Sequence, residues 1–180
     1  MKCFLYPLTA LFLCQIFTSQ LLAQPSWEKV NGPNETMNTI TATGSGELFM
    51  GSNNFGVFRS ADAGASWVPE NAGLPDVVIR TLQSSSTDEV FAGTGSNGIY
   101  RYTSGAWTEA NTGLPANNLL TAGFAKGNGG EMYMIATNSD IYKWNGTTWT
   151  SIKFNLPALV RTVVVGSDGT VYAGCFNSGV

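Results

Sequence analysis

The chain has 180 residues, with 9 Lys plus Arg, 12 Asp plus Glu and no His, so its formal net charge is −3 at pH 7. The lack of His excludes His-based catalytic triads, His metal sites and His proton switches. Few charges, 21 Gly and 12% aromatic residues are typical of a β protein rich in turns, and scattered cations on an acidic chain argue against nucleic-acid binding.

Residues 1–23 have the layout of a secretory signal peptide. Lys2 stands near the start, an apolar run extends from Cys3 to Phe17, and the small Ala23 precedes the expected cleavage point. An uncleaved membrane anchor is the alternative, but polar residues and a Pro interrupt a run that is short for a span. We therefore expect a secreted, periplasmic or cell-surface protein with no membrane span in the mature chain.

Cleavage changes the charge and the cysteine count of the mature chain. Loss of Lys2 leaves 8 cations against 12 acids, a net charge of 8 − 12 = −4. Cys3 and Cys14 lie in the leader, so residues 24–180 keep only Cys175. One cysteine cannot form an intrachain disulfide, so we expect burial and hydrogen bonds to hold the fold.

A pattern with a period near 40 residues runs through the mature chain. Tryptophan recurs at Trp27, Trp67, Trp107 and Trp149, and three other columns keep the same register. These columns read ELFMGS at 47–52, EVFAGT at 89–94, EMYMIA at 131–136 and TVYAGC at 170–175; GVFRS at 56–60, GIYRY at 98–102 and DIYKW at 140–144; and AGLP at 72–75, TGLP at 112–115 and FNLP at 154–157. Agreement between columns indicates a repeated supersecondary unit.

Each unit contains four short runs that are rich in β-branched and aromatic residues. In the second unit these runs span 77–84, 88–94, 98–103 and 106–111, and Gly, Asn, Ser or Thr separate them. No segment keeps a helical apolar period. Four strands in about 40 residues predict an all-β fold, a β-propeller of four-stranded blades. A β-solenoid coil is usually shorter, and a β-sandwich does not repeat its sequence.

The repeat predicts a partial propeller with three full blades plus an incomplete one. The predicted blades span about 36–71, 77–111 and 118–154, the incomplete blade spans 159–180, and residues 27–30 form an orphan outer strand. Closure of a ring needs about four to eight blades. We therefore expect the chain to be a truncated fragment. An open arc with exposed edges, or two chains that close one ring, are the alternatives.

The stretch SADAGASW, residues 60–67, has residue types at fixed offsets that suit a structured turn. It matches the pattern Ser/Thr-x-Asp-x-Gly-x-Ser/Thr-Trp through Ser60, Asp62, Gly64, Ser66 and Trp67. An Asp side chain can accept backbone N–H groups of its own turn, and Gly adopts a backbone conformation that other residues reach at a cost. The later copies at 103–107 and 145–149 keep Gly and Trp but lose Asp.

With this motif, the chain over roughly residues 27–180 resembles the Asp-box, or BNR-repeat, propeller family. That family includes bacterial sialidases, sortilin-type receptors, xyloglucan-cleaving hydrolases and photosystem assembly factors. The resemblance implies that the five box residues are structural and lie away from the ligand face. It implies a fold more than a function, because one fold hosts many activities.

The candidate binding residues lie on the rim opposite the box, which the resemblance implies is the functional face. They are Arg80, Arg161, Asn53, Asn54, Asn97, Asn138 and Asn177. Arg80 and Arg161 are placed in one repeat column with Asn38 and Leu120. Amides, aromatics and Arg suit a protein or carbohydrate ligand. The alternative for each Asn is that it satisfies a tight turn.

These observations favour a secreted, non-enzymatic repeat protein that serves as a protein- or glycan-binding scaffold. We expect no catalytic residue, cofactor or metal, since the sequence has no nucleophile setting or metal cluster. One alternative is a fragment of an Asp-box glycoside hydrolase of the sialidase or xyloglucanase type. By resemblance, a sialidase needs an Arg triad, an Arg-Ile-Pro-type motif, a nucleophilic Tyr and a Glu partner, and the sequence contains no Arg-Ile-Pro. A carboxylate-pair glycosidase needs two acids across a cleft, and only Asp76 and Asp140 lie near the proposed rim. The other alternative is an extracytoplasmic sensor propeller.

Overall fold

A computed structural model of the protein describes residues 32–75, 77–116, 121–152 and 159–176. These residues form β1 (Met37–Ala42), β2 (Leu48–Ser52), β3 (Val57–Ser60), β4 (Val68–Pro69), β5 (Ile79–Ser84), β6 (Val90–Thr94), β7 (Ile99–Thr103), β8 (Ala106–Glu109), β9 (Thr121–Lys126), β10 (Met132–Ala136), β11 (Ile141–Trp144), β12 (Trp149–Ile152), β13 (Val160–Val165) and β14 (Val171–Cys175).

The strands form four separate antiparallel sheets, which we number as blades in chain order. Blades 1, 2 and 3 are β1–β4, β5–β8 and β9–β12, and blade 4 has β13 and β14. The innermost strands pack side by side, β1 on β5, β5 on β9 and β9 on β13, so the blades stack around a common axis. This arrangement confirms the predicted all-β propeller with three full blades and an incomplete one.

The core lies between the blades, because each blade is apolar on both faces. Each of the three buried clusters therefore combines side chains of two neighbouring blades. The first joins Phe49 and Val57 to Leu82, Val90 and Tyr100, the second joins Phe91 and Ile99 to Met132, Met134 and Tyr142, and the third joins Tyr133 and Ile141 to Val160 and Val163. Burial of the second strand on both faces explains its continuous apolar run.

The tryptophan column has two equivalent members and one that differs. Trp107 and Trp149 are buried, and each donates its indole N–H to a carbonyl of the preceding blade. Trp67 is only half-buried, because blade 1 lies at the end of the described arc and has a described neighbour on one side only. The signal peptide at 1–23, Trp27 and the orphan strand at 27–30 lie outside the described residues.

A β-bulge interrupts each innermost strand just after its first residue. The register shifts between Met37 and Thr39, and equivalent shifts occur in β5, β9 and β13. The residues at the bulges are Asn38, Arg80, Ala122 and Arg161. The sequence-based column that included Leu120 was wrong by two positions. The reason is that the connector between blades 2 and 3 is two residues longer than the connector between blades 1 and 2. β9 begins 121 − 111 = 10 residues after Asn111, whereas β5 begins 79 − 71 = 8 residues after the equivalent Asn71.

No helix in the described part of the chain is long and apolar enough to cross a membrane.

Candidate functional site

The blades have two rims, and backbone hydrogen bonds define one of them. Gly56 N–H donates to the Val77 carbonyl at 2.8 Å, and Phe176 N–H donates to the Leu159 carbonyl at the same distance. The loops after the second strands and the connectors between blades therefore meet at one rim, which we call the connector rim. The turn at 60–67 lies at the opposite ends of the strands, on what we call the turn rim.

The turn at 60–67 satisfies its polar groups internally. Asp62 accepts the Ser66 backbone N–H at 2.8 Å, the Ser66 hydroxyl at 2.6 Å and the Ser60 hydroxyl at 2.8 Å. Gly64 donates its N–H to Ser60 Oγ at 2.8 Å and adopts a φ of +90°. These contacts give Ser60, Asp62, Gly64 and Ser66 a role within the turn.

The Asp62 carboxylate makes the turn sensitive to acid. Hydrogen bonds from the Ser66 hydroxyl, the Ser66 backbone and Ser60 lower the Asp62 pKa from 3.8 to about 2. Because the folded-state pKa is depressed, the stability that Asp62 contributes is complete above the unfolded value and is lost as the pH falls through about 2. A ¹³C NMR titration of the carboxyl carbon tests this; a midpoint at the ordinary Asp value would contradict it. Asp62→Asn should remove the loss of stability that accompanies protonation of Asp62.

Two asparagines that the sequence did not single out fix the loops of the connector rim. Asn71 accepts Val57 N–H at 2.7 Å and donates to the Phe55 carbonyl at 3.0 Å. Asn111 makes the same bonds in blade 2, from Ile99 N–H and to the Asn97 carbonyl. Both end the motif W-x-x-x-N, so their repeat spacing was the available signal.

Arg80 and Arg161 occupy equivalent bulges on the connector rim, and both side chains are exposed. The Arg161 guanidinium lies 5.3 Å from the centre of the Phe176 ring, within range for a cation–π contact. Neither Arg forms an ion pair with a described residue. The third-strand cations differ, because each pairs with the Glu that immediately precedes the second strand: Arg59 with Glu47, Arg101 with Glu89 and Lys143 with Glu131.

Exposed apolar side chains lie on the same rim as the two arginines. Phe55, Val77, Leu159 and Phe176 belong to the loops and connectors of this rim, and all four are exposed. They make up half of the eight large exposed hydrophobic residues in the described chain. Sequence analysis did not select Val77 or Leu159. The connector rim therefore combines cations with apolar surface, as expected of a binding face.

The four candidate asparagines that the structure describes are all exposed, and two of them also make hydrogen bonds within their own turns. Asn53 and Asn54 are exposed at the tip of the first loop. Asn97 is tied to its loop through Thr94, and the Asn138 amide donates to Asp140 at 2.8 Å. Asn177 and Asp76 lie outside the described residues. Asp140 is engaged in its own turn by its bonds with Asn138. Within the described residues, no group of three or more His, Cys, Asp or Glu is arranged to hold a metal.

Comparison with known proteins identifies the fold but no family. No family model and no curated protein matches the chain. A solved virginiamycin B lyase of Staphylococcus aureus is 15% identical, with a TM-score of 0.65 over 80% of this chain and 50% of that one. YCF48 bound to a D1 peptide is 18% identical, with a TM-score of 0.58 over 85% and 52%.

A third structure is the extracellular domain of a putative hybrid two-component system, BT4673, of B. thetaiotaomicron. It is 13% identical, with a TM-score of 0.64 over 83% of this chain and 21% of that one. The chain thus spans about half the length of each of the first two structures and about a fifth of the length of the third. At these identities the likeness shows the β-propeller fold alone.

Proposed function

We propose that this protein is an exported β-propeller of the Asp-box class that binds a protein or glycan ligand on its connector rim. The observation that carries the proposal is the placement of Arg80 and Arg161 at equivalent bulges, both exposed and both on the rim that carries exposed apolar side chains. Bulges often re-aim a side chain near a functional site. The self-contained turn at 60–67 supports a structural role for the box residues.

The chemistry of the rim favours a ligand with both acidic and apolar groups. A guanidinium recognises carboxylates through paired, charge-assisted hydrogen bonds. The exposed rings of Phe55 and Phe176 offer apolar contact, and Asn53 and Asn54 offer amide donors and acceptors. An extended polypeptide with Asp or Glu beside apolar residues fits this combination, as does an acidic glycan. A bound peptide in the YCF48 structure shows that a protein of this fold can hold one.

Two neighbours support the alternative functions. Virginiamycin B lyase is an enzyme with the same fold, which supports the alternative that this chain is part of a propeller enzyme whose catalytic groups lie elsewhere. The extracellular domain of the two-component system supports an extracytoplasmic sensor. The rim of the described residues, with its arginines and apolar groups, favours binding over catalysis.

Substitution of both arginines tests the proposal. Peptide arrays of acidic and neutral segments and arrays of acidic and neutral glycans identify a ligand for the full chain. Arg80→Ala combined with Arg161→Ala should then weaken binding about tenfold or more, since each lost charged hydrogen bond costs about 1.5–3 kcal/mol. The matched control is Lys126→Ala, which removes an exposed cation from the opposite end of an innermost strand.

The outcome of that comparison is decisive. Circular dichroism should show unchanged folding for all three substitutions, because each side chain is exposed. Equal affinity of the double variant and the unmodified chain would refute the rim as the binding face, and so would an equal loss in Lys126→Ala.

A further inference from the structure

The tip of the hairpin between β11 and β12 forms a turn of the same kind as the one at 60–67, with asparagine in place of aspartate. Asn145 Oδ1 accepts the backbone N–H of Thr148 at 3.0 Å, and Thr148 immediately precedes the repeat tryptophan. Asp62 Oδ1 likewise accepts the backbone N–H of Ser66 at 2.8 Å, and Ser66 precedes the tryptophan of its own blade. Asn145 therefore has the structural role of the box aspartate in blade 3.

Asn145 is followed by glycine, and an Asn-Gly pair can react with itself. The glycine backbone nitrogen gives its proton to water and attacks the side-chain Cγ of the asparagine. A C–N bond forms, the bond from Cγ to the amide nitrogen breaks, and that nitrogen takes up a proton and leaves as ammonia. Water then opens the cyclic succinimide at either carbonyl, which gives aspartate or isoaspartate. Asparagine is thermolabile for this reason, and glycine favours the attack because it has no Cβ in the way.

The Asn-Gly pairs of the described chain differ in how their reacting groups are engaged. They stand at 97–98, 128–129 and 145–146. In the second pair, the Asn128 amide donates to the Gly166 carbonyl at 2.7 Å, and the Gly129 N–H donates to a Glu131 carboxylate oxygen at 3.0 Å. In the first pair, the glycine is buried, so water has little access to its backbone nitrogen. Both pairs are therefore restrained against the reaction.

The pair at 145–146 lacks these restraints. Asn145, Gly146 and Thr147 are exposed at the tip of the hairpin. The Gly146 N–H and the Asn145 side-chain NH₂ group donate to no described residue. Neither the attacking nitrogen nor the leaving group therefore has to break a hydrogen bond within the described chain before it reacts.

Two backbone donors face the oxygen on which negative charge develops. The attack on Cγ turns Asn145 Oδ1 into an oxyanion, and preorganised N–H groups aimed at such an oxygen lower the barrier of acyl transfer. The N–H groups of Thr147 and Thr148 both lie 3.0 Å from Oδ1. Because the same bonds join residue 145 to the next residues but one and two, they hold the side-chain amide over the intervening Gly146 peptide.

The charged groups next to this turn do not oppose a new carboxylate. Arg101 Nη1 lies 3.4 Å from the Gly146 carbonyl oxygen and 3.3 Å from Glu89 Oε1. Glu131, the other acid that lines the cleft beside the turn, pairs with Lys143 at 3.2 Å. Each of these glutamates thus has a cation of its own, and the new carboxylate would stand close to a guanidinium.

We propose that Asn145 is a self-modification site, which deamidates in the folded chain with the Thr147 and Thr148 N–H groups as its oxyanion hole. The aspartate product keeps an oxygen acceptor for both N–H groups. The isoaspartate product adds a backbone carbon before Thr148, whose hydroxyl donates to the Thr112 carbonyl, as does the N–H of Trp149. One product therefore preserves the contact of this hairpin with the blade 2–blade 3 connector, and the other disturbs it.

Peptide mapping of the aged full chain tests the proposal. After incubation at mildly alkaline pH, mass spectrometry should find deamidation at Asn145 about tenfold or more faster than at Asn128, since even one donor to a developing oxyanion has at least that effect. The rate at Asn145 should also be higher in the folded chain than in the chain unfolded by guanidinium chloride. Deamidation at Asn145 that is no faster than at Asn128, or slower in the folded than in the unfolded chain, would overturn the proposal.

Asn145→Asp reproduces the aspartate product, and Asn128→Asp is its matched control. Asn145→Asp should leave the thermal midpoint unchanged or raise it, because a carboxylate accepts the two N–H bonds at least as well as an amide oxygen. Asn128→Asp should lower the midpoint, because a carboxylate cannot donate to the Gly166 carbonyl. A fall for Asn145→Asp equal to that for Asn128→Asp would contradict the acceptor role of Asn145 on which the proposal depends.

Discussion

Phe91→Ala is expected to destabilise the protein by about 3–5 kcal/mol, the range for truncating a fully buried aromatic residue. Phe91 is 0% exposed and lies at the centre of the interface between blades 2 and 3. Its ring centre is 5.9 Å from that of Trp144, 6.0 Å from that of Trp149 and 6.3 Å from that of Phe124. Urea unfolding followed by tryptophan fluorescence measures the loss.

Tyr172→Ala is the matched control for Phe91→Ala. Tyr172 occupies the same repeat column on blade 4, but it is 51% exposed because no described blade covers that face. Its truncation should cost less than about 1 kcal/mol in the 180-residue chain, as is usual for a surface position. Equal losses for the two variants would contradict the assignment of Phe91 to a blade interface.

Gly73→Ala is expected to have the second large effect, because this position combines a left-handed backbone with a close backbone neighbour. Gly73 has a φ of +91°, and a Cβ atom there would overlap the carbonyl oxygen of Trp107. That carbonyl belongs to the next blade and cannot move as a flexible side chain would. We expect the backbone strain to lower the free energy of unfolding by about 1–2 kcal/mol and the overlap to lower it by a further 1–3 kcal/mol or so.

Gly46→Ala separates the two contributions. Gly46 has a φ of +92°, nearly the same as Gly73, but no atom lies within 4 Å of a Cβ added there. Thermal unfolding of Gly46→Ala should therefore report the backbone strain alone. If Gly73→Ala is no more destabilising than Gly46→Ala, the connector at 71–75 does not pack against blade 2 as described.

The blade architecture could be predicted from the sequence because each interface repeats the same chemistry. Tryptophan lies within one residue of the start of the fourth strand, and the second strand is apolar on both faces, so both features leave a period near 40 residues. The tight packing that the small residue Gly93 suggests is also present, since a Cβ there would overlap the Thr121 methyl group. These are local consequences of burial, and a sequence displays them directly.

The rim was harder to predict, because its geometry depends on register and not on composition. The connector before β9 is two residues longer than the connector before β5, so Arg80 and Arg161 were grouped with Leu120 instead of Ala122. The clamping asparagines were missed because Asn in a turn has many uses, and only the bonds of Asn71 and Asn111 distinguish them. Val77 is apolar yet exposed, which the sequence pattern does not reveal.

Disulfide cross-linking of adjacent innermost strands tests the radial stacking of the blades most directly. Thr41 Oγ1 of blade 1 lies 3.3 Å from Ser84 Oγ of blade 2. In a Cys175→Ser background, Thr41→Cys with Ser84→Cys should form an intramolecular disulfide on mild oxidation, seen by mass and non-reducing electrophoresis. Thr41→Cys with Lys126→Cys, which joins blades 1 and 3, should not. Failure of the first pair to link, or equal linking of both pairs, would contradict the stacked-blade arrangement.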